Sequence, residues 1–178
     1  MEKRAALELQ RTCRDALGTC MLEFKRYAVM NRFMAEHKEA KLGKETRFKF
    51  MVCVGPPRMG KTQLCMSKYG SKDTFYCNCQ NVEEPNLNAF NRQRFKAIVF
   101  DEGSPSMVAN NKALFQAGID GVNIMESRCQ QFSRWKFLYG IPLFVCTNDW
   151  QLGKLPADRV EWLDENSCVL EIKEKCWV

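Results

Sequence analysis

Gly55 to Thr62 reads GPPRMGKT, which fits the spacing G-x-x-x-x-G-K-[ST] without a gap and follows directly on an apolar run from Phe48 to Val54. An apolar strand that runs into this octet, and a helix that leaves it, predict a phosphate-binding loop. Gly55 lets the chain turn sharply off the strand. Gly60 lets the backbone N–H groups from about Arg58 to Thr62 close around a phosphate at a helix start. Lys61 is then expected to reach the β- and γ-phosphates of ATP, and the Thr62 hydroxyl to face Mg²⁺. Pro56 and Pro57 carry no N–H and only stiffen the approach, so the donors come from residue 58 onward, Met59 and Gln63 included in the contact set.

The chain has 178 residues, 46% of them apolar, enough for one substantial core. The reading divides it into a helical segment, 1–44, and a nucleotide domain, 45–178. No apolar run approaches the roughly 18 residues of a membrane span, and charges run through the first 20 residues where a signal peptide needs an apolar centre. An intracellular location, nucleus or cytoplasm, with no membrane partner is the expectation. The ten cysteines are scattered singly apart from Cys77 and Cys79, which predicts reduced, mostly buried thiols and no zinc site, since His37 is the single histidine. The net charge of +6 is concentrated in the first 100 residues, a distribution compatible with a nucleic-acid partner.

From Glu2 to about Phe33, apolar residues recur every three or four positions, which predicts an amphipathic helix, or two broken near Gly18, that packs on the nucleotide domain or serves as an oligomerisation collar. Glu36–Glu45 reads as a polar linker. Five strands follow from the apolar runs: Arg47–Val54, Thr74–Cys79, Lys96–Asp101, Gly140–Thr147 and Ser167–Ile172. Gln63–Lys68 and Asn111–Ile119 read as helix, Glu83–Arg94 as a surface connection, Lys154–Arg159 as a loop and Val160–Asp164 as a helical turn. The alternation predicts a three-layer α/β/α domain with a five-stranded, mostly parallel sheet.

KAIVFD, Lys96 to Asp101, is a buried strand that ends on two acids. Ligands of α/β sheets lie at the carboxyl ends of the strands, so Asp101 is placed to hold Mg²⁺ with Thr62, and Glu102 to orient an attacking water. GIPLFVCT, Gly140 to Thr147, ends on Asn148, whose amide is placed to sense the γ-phosphate or its water. The alternative for KAIVFD is a strand that happens to end in a solvated acidic turn.

The order GPPRMGKT, AIVFDE, a helix with a basic loop, then PLFVCTND resembles the superfamily 3 helicases of small DNA viruses, the replication helicases of papillomaviruses, parvoviruses and circular single-stranded DNA viruses. The resemblance covers about residues 45 to 175. Its most diagnostic part is Asp120–Asn148, similar to the family's additional motif of a glycine, a basic β-hairpin and a strand ending in Thr-Asn. It implies an AAA+-like P-loop sheet, ATP hydrolysis between subunits of a homo-oligomeric, usually hexameric ring, and movement on single-stranded DNA during replication. Met59 stands where the family commonly has Thr. The hairpin reads Cys129-Gln130 where papillomavirus members present Lys-His, which leaves Arg128, Arg134 and Lys136 as candidate DNA phosphate contacts and Trp135 for stacking, or else a solvated basic turn. The resemblance also implies an arginine supplied in trans shortly after the sensor strand. Arg159, the only arginine after Arg134, fits that place, the alternative being a surface ion pair with Asp158 or Glu161. The origin-binding or nicking domain of such replication proteins is not within these residues. A P-loop ATPase or small-molecule kinase that does not touch nucleic acid is the rival reading, and a nucleotide-dependent scaffold a third.

Overall fold

A computed structural model describes residues 23–39, 47–123 and 135–178. Five parallel strands form its centre: β1 (Phe50–Val54), β2 (Thr74–Asn78), β3 (Ala97–Asp101), β6 (Leu143–Thr147) and β7 (Ser167–Glu171), side by side in the order β2-β3-β6-β1-β7. A second, two-stranded antiparallel sheet pairs β4 (Val122–Asn123) with β5 (Trp135–Lys136). All five expected strands are present, each trimmed by one to three residues at its ends.

β1, β3 and β6 are apolar at successive positions because both faces of the sheet are covered. One face presents Phe50, Val52, Ile98, Phe100, Leu143 and Val145 to α3 (Pro105–Asn110), α4 (Lys112–Phe115) and α5 (Ala157–Asn166). The other presents Met51, Cys53, Val99, Phe144 and Cys146 to α1 (Ala28–Glu39) and α2 (Lys61–Ser67), through Met30, Phe33, Leu64 and Cys65. The layering is therefore α/β/α, and the sheet is wholly parallel.

The helices differ from the sequence reading: the expected Asn111–Ile119 is reduced to Lys112–Phe115, Gln63–Lys68 runs instead over Lys61–Ser67, and three further differences each have a local reason. α1 continues to Glu39 through the stretch read as linker, and His37 Nδ1–H donates to the Phe33 carbonyl at 3.0 Å. α3 begins at Pro105, where the Ser104 side chain accepts from the Met107 N–H at 3.1 Å. This is an N-cap followed by proline at the first helical position. α5 begins at Ala157 directly after Pro156, which places Arg159 in its first turn instead of in a loop. Of the expected helix over Glu2–Phe33, residues 2–22 lie outside the described residues and 23–27 are not helical, because Phe24 bridges to Trp177 in extended form; the helix begins at Ala28. Arg128 and Arg134 also lie outside the described residues. Seven cysteines among the described residues are free, and all but Cys168 are buried.

No helix among the described residues is long and apolar enough to cross a membrane.

Candidate functional site

The strand order decides what meets at the carboxyl edge of the sheet. β6 lies between β1 and β3, with Val54 beside Thr147 and Asp101 beside Cys146. Gly55, Asn148 and Glu102, the residues that follow those strands, consequently leave the sheet in one row, although the sequence separates them by 47 and 46 positions.

The octet turns where glycine is required. Gly60 has φ 84°, and a Cβ there would run into the Trp177 ring, while a Cβ at Gly55 would meet the Ile172 carbonyl. Arg58 also adopts a left-handed conformation, φ 62°. Gly60 is the N-cap of α2, whose first residues are Lys61 and Thr62. Pro56, Pro57, Arg58 and Gln63 are exposed around the octet, and Met59 is half-buried.

Lys61 is 7% exposed, and its ammonium donates to the carbonyls of Gly55 and Pro56, each at 2.7 Å, and to Asn148 Oδ1 at 2.9 Å. Those three acceptors match the three protons of the group, so the buried charge is satisfied. Two of them are neutral backbone carbonyls at the mouth of the loop, and an anionic oxygen arriving there would be the stronger acceptor. Asn148 takes the lysine on its oxygen and donates its Nδ2 to both Glu102 carboxylate oxygens, at 3.2 and 3.1 Å. One amide thus connects the cation to the acid. Glu102 has φ 58°, a conformation uncommon for a residue with a side chain, and both Glu102 and Asn148 face solvent.

Thr62 Oγ1 donates to Asp101 Oδ1 at 2.7 Å, and the Tyr76 hydroxyl donates to Asp101 Oδ2 at 2.8 Å. A hydroxyl and a carboxylate in contact are hard oxygen donors of the kind Mg²⁺ takes while keeping several waters and substrate phosphates as its other ligands. Among the described residues no group of three or more His, Cys, Asp or Glu side chains is arranged to hold a metal ion by itself.

Lys61, Thr62, Asp101, Glu102 and Asn148 are thus drawn together. Arg159 is apart from them on α5, where its Nη1 donates to Asn110 Oδ1 at 2.6 Å. Lys136 donates to the carbonyls of Phe90 at 2.6 Å and Asn88 at 3.4 Å. Two contributors were missed in the sequence. Tyr76 sits mid-strand in TFYCNC and reads there only as a β-former. Trp177 lies over Gly60, and the Cys176 N–H donates to the Met59 carbonyl at 2.9 Å, fastening the octet to a segment more than 110 residues away. Neither has a local sequence signal, because both act through the packing of distant strands.

No protein-family model matches the chain, and no curated protein matches it in sequence.

Proposed function

We propose that the chain is an ATP-hydrolysing motor of the superfamily 3 helicase type that acts on single-stranded DNA during replication, working as a homo-oligomeric ring. The observation that carries the ATPase part is the convergence of Lys61, Thr62, Asp101, Glu102 and Asn148 at the carboxyl ends of β1, β3 and β6. In this reading, Lys61 exchanges its carbonyl acceptors for the β/γ-phosphate oxygens, and the N–H groups from Arg58 to Gln63 hold the phosphate chain. Thr62 and Asp101 would hold Mg²⁺, whose chemistry there would be to neutralise charge on the phosphoryl oxygens. Glu102 accepts a proton from the attacking water, and Asn148 holds both Glu102 and Lys61 in register with it.

Support for the DNA part is the resemblance together with the antiparallel pairing of β4 and β5, the two ends of the segment read as a basic hairpin. One observation favours the rival, an ATPase or kinase that does not touch nucleic acid: Lys136 already spends donors on two backbone carbonyls. The ATP hydrolysis rate with and without single-stranded DNA, with Lys61→Ala as the inactive control, separates them. Stimulation by DNA supports the motor. Hydrolysis indifferent to DNA supports the rival ATPase, and no hydrolysis above Lys61→Ala overturns the motor and the ATPase alike, leaving the kinase form of the rival.

A further inference from the structure

Trp135, Phe137 and Tyr139 alternate along one stretch, so their side chains share a face. Successive ring centroids are 5.7 and 6.0 Å apart, with planes inclined by only 13° and 11°. The row runs from the core outward: Tyr139 is buried, Phe137 half-buried and Trp135 57% exposed. Trp135 is nonetheless held in place, because its indole lies against Gly121, where a Cβ would collide with it. A rigid, wet indole costs the free protein hydration free energy and offers a flat apolar surface to something else.

Across from this row stand Phe90, Asn91 and Arg92, and the two sides border an open cleft of about 300 Å³, also lined by Lys136. Lys136 bonds to the Phe90 and Asn88 carbonyls and ties the sides together. Arg92 is placed differently. Its guanidinium lies 5.0 Å from the Phe137 ring centroid, and Nη1 donates to the Tyr139 carbonyl at 2.6 Å and the Phe137 carbonyl at 3.4 Å. The remaining guanidinium nitrogens have no partner among the described residues. The cleft thus combines a fixed aromatic platform with a fork of unused, permanently charged donors.

We infer that this cleft is a stacking subsite for one nucleobase of single-stranded DNA, with the base on Trp135 and the adjoining phosphate on Arg92. Flat rings and a cation match the two halves of a nucleotide, and stacking is available to every base because each has a π-face. An apolar peptide would leave the guanidinium without an anion, and free phosphate would leave the indole wet. The inference rests on the DNA part of the proposed function and is independent of its ATPase part. It moves the expected phosphate contact from Lys136 to Arg92.

The test is binding of an oligo-dT of about 16 nucleotides, and of an abasic strand of the same length, at low salt without nucleotide. Trp135→Ala is expected to weaken oligo-dT binding roughly 5- to 150-fold, as loss of one base–aromatic stack does, and to leave abasic-strand binding unchanged. Trp135→Phe should recover most of the affinity, and the quenching of tryptophan emission that oligo-dT causes in the wild type should be lost in it. Equal binding of oligo-dT by wild type and Trp135→Ala, or an equal loss on the abasic strand, overturns the subsite while leaving the DNA reading standing. Should Trp135→Ala fail to fold, undiminished quenching in Trp135→Phe overturns it instead. A wild type that binds neither strand overturns the DNA reading and the subsite with it.

Discussion

The Thr62 hydroxyl donates to the Asp101 carboxylate at 2.7 Å, although the strands that position them, β1 and β3, are not neighbours. Two strand spacings, about 9.6 Å, separate those strands, and the intervening β6 delivers Asn148 into the gap. Thr62 covers the distance because the octet rises off β1 and turns back into α2 above the sheet edge. A threonine and an aspartate 39 residues apart are thereby held as a pair.

Both oxygens of that carboxylate are engaged, the second by Tyr76, and Tyr76→Phe tests what the second bond does. If Tyr76 fixes the rotation of Asp101, its loss leaves the carboxylate free to turn away from the cation position. A hydrogen bond to a charged group contributes about 1.5–3 kcal/mol, so the Mg²⁺ concentration needed for tight binding of a fluorescent ATP analogue should rise about tenfold or more. Affinity measured without Mg²⁺, and turnover at saturating Mg²⁺, should stay near wild type. An unchanged Mg²⁺ requirement would show that Thr62 and Asp101 suffice.

Glu102→Gln keeps the shape of the residue and its bond with Asn148, with the amide oxygen replacing a carboxylate oxygen as acceptor, but it removes the carboxylate that the proposed function uses as a base. ATP should bind with little change, while turnover falls by about 10²–10⁴, the range general-base catalysis contributes. Rapid hydrolysis by this variant, in a preparation free of wild-type protein, would remove Glu102 from the role.

His37 supplies a pH dependence of stability. Its Nδ1–H is used on the Phe33 carbonyl, its Nε2 is buried without a hydrogen-bond partner, and its ring lies 4.3 Å from that of Phe33 and 5.3 Å from that of Phe48. Burial lowers its pKa from the ordinary 6.5, against the opposing pull of the Phe33 carbonyl and Glu36. The unfolded chain therefore binds a proton at a higher pH than the folded one, and this contribution to stability decreases as pH falls below about 6.5. Urea midpoints at pH 7.5 and 5.5 should show a drop in the wild type that is smaller in His37→Phe. Equal drops would place the acid sensitivity elsewhere.

The parts of this architecture that were legible in the sequence are those written in consecutive residues. GPPRMGKT, KAIVFD and GIPLFVCT each carry a strand and the polar residue that ends it, so Lys61, Asp101 and Asn148 could be named in advance. The positions of Tyr76 and Trp177 depend on which strands lie side by side and on what packs over Gly60, which no local pattern records. Helix ends were lost for a subtler reason. Pro156 is a helix start that also serves as a turn signal, and the loop reading prevailed there, whereas the short helix that Ser104-Pro105 opens was given no element because the residues after it are not strongly periodic.

Arg159 carries the last prediction. Its guanidinium has a neutral partner, Asn110, in place of the surface ion pair with Asp158 or Glu161 that the sequence allowed, so no carboxylate within the chain neutralises it among the described residues. A ring ATPase needs a cation from the neighbouring subunit, because Lys61 and Mg²⁺ leave one side of the transferring phosphoryl group open. Arg159→Ala alone should bind ATP normally yet lose turnover by about 10³-fold or more, the range such arginines contribute. The decisive measurement mixes it with Lys61→Ala. Each variant is inactive by itself, but an interface that joins the intact Lys61 of one subunit to the intact Arg159 of the other regains both groups. Recovered hydrolysis that peaks at an intermediate mixing ratio places Arg159 in trans. A mixture that stays as inactive as its components, with mixed oligomers verified by size, assigns Arg159 to holding α5 against Asn110 and leaves the stabilising cation to another residue.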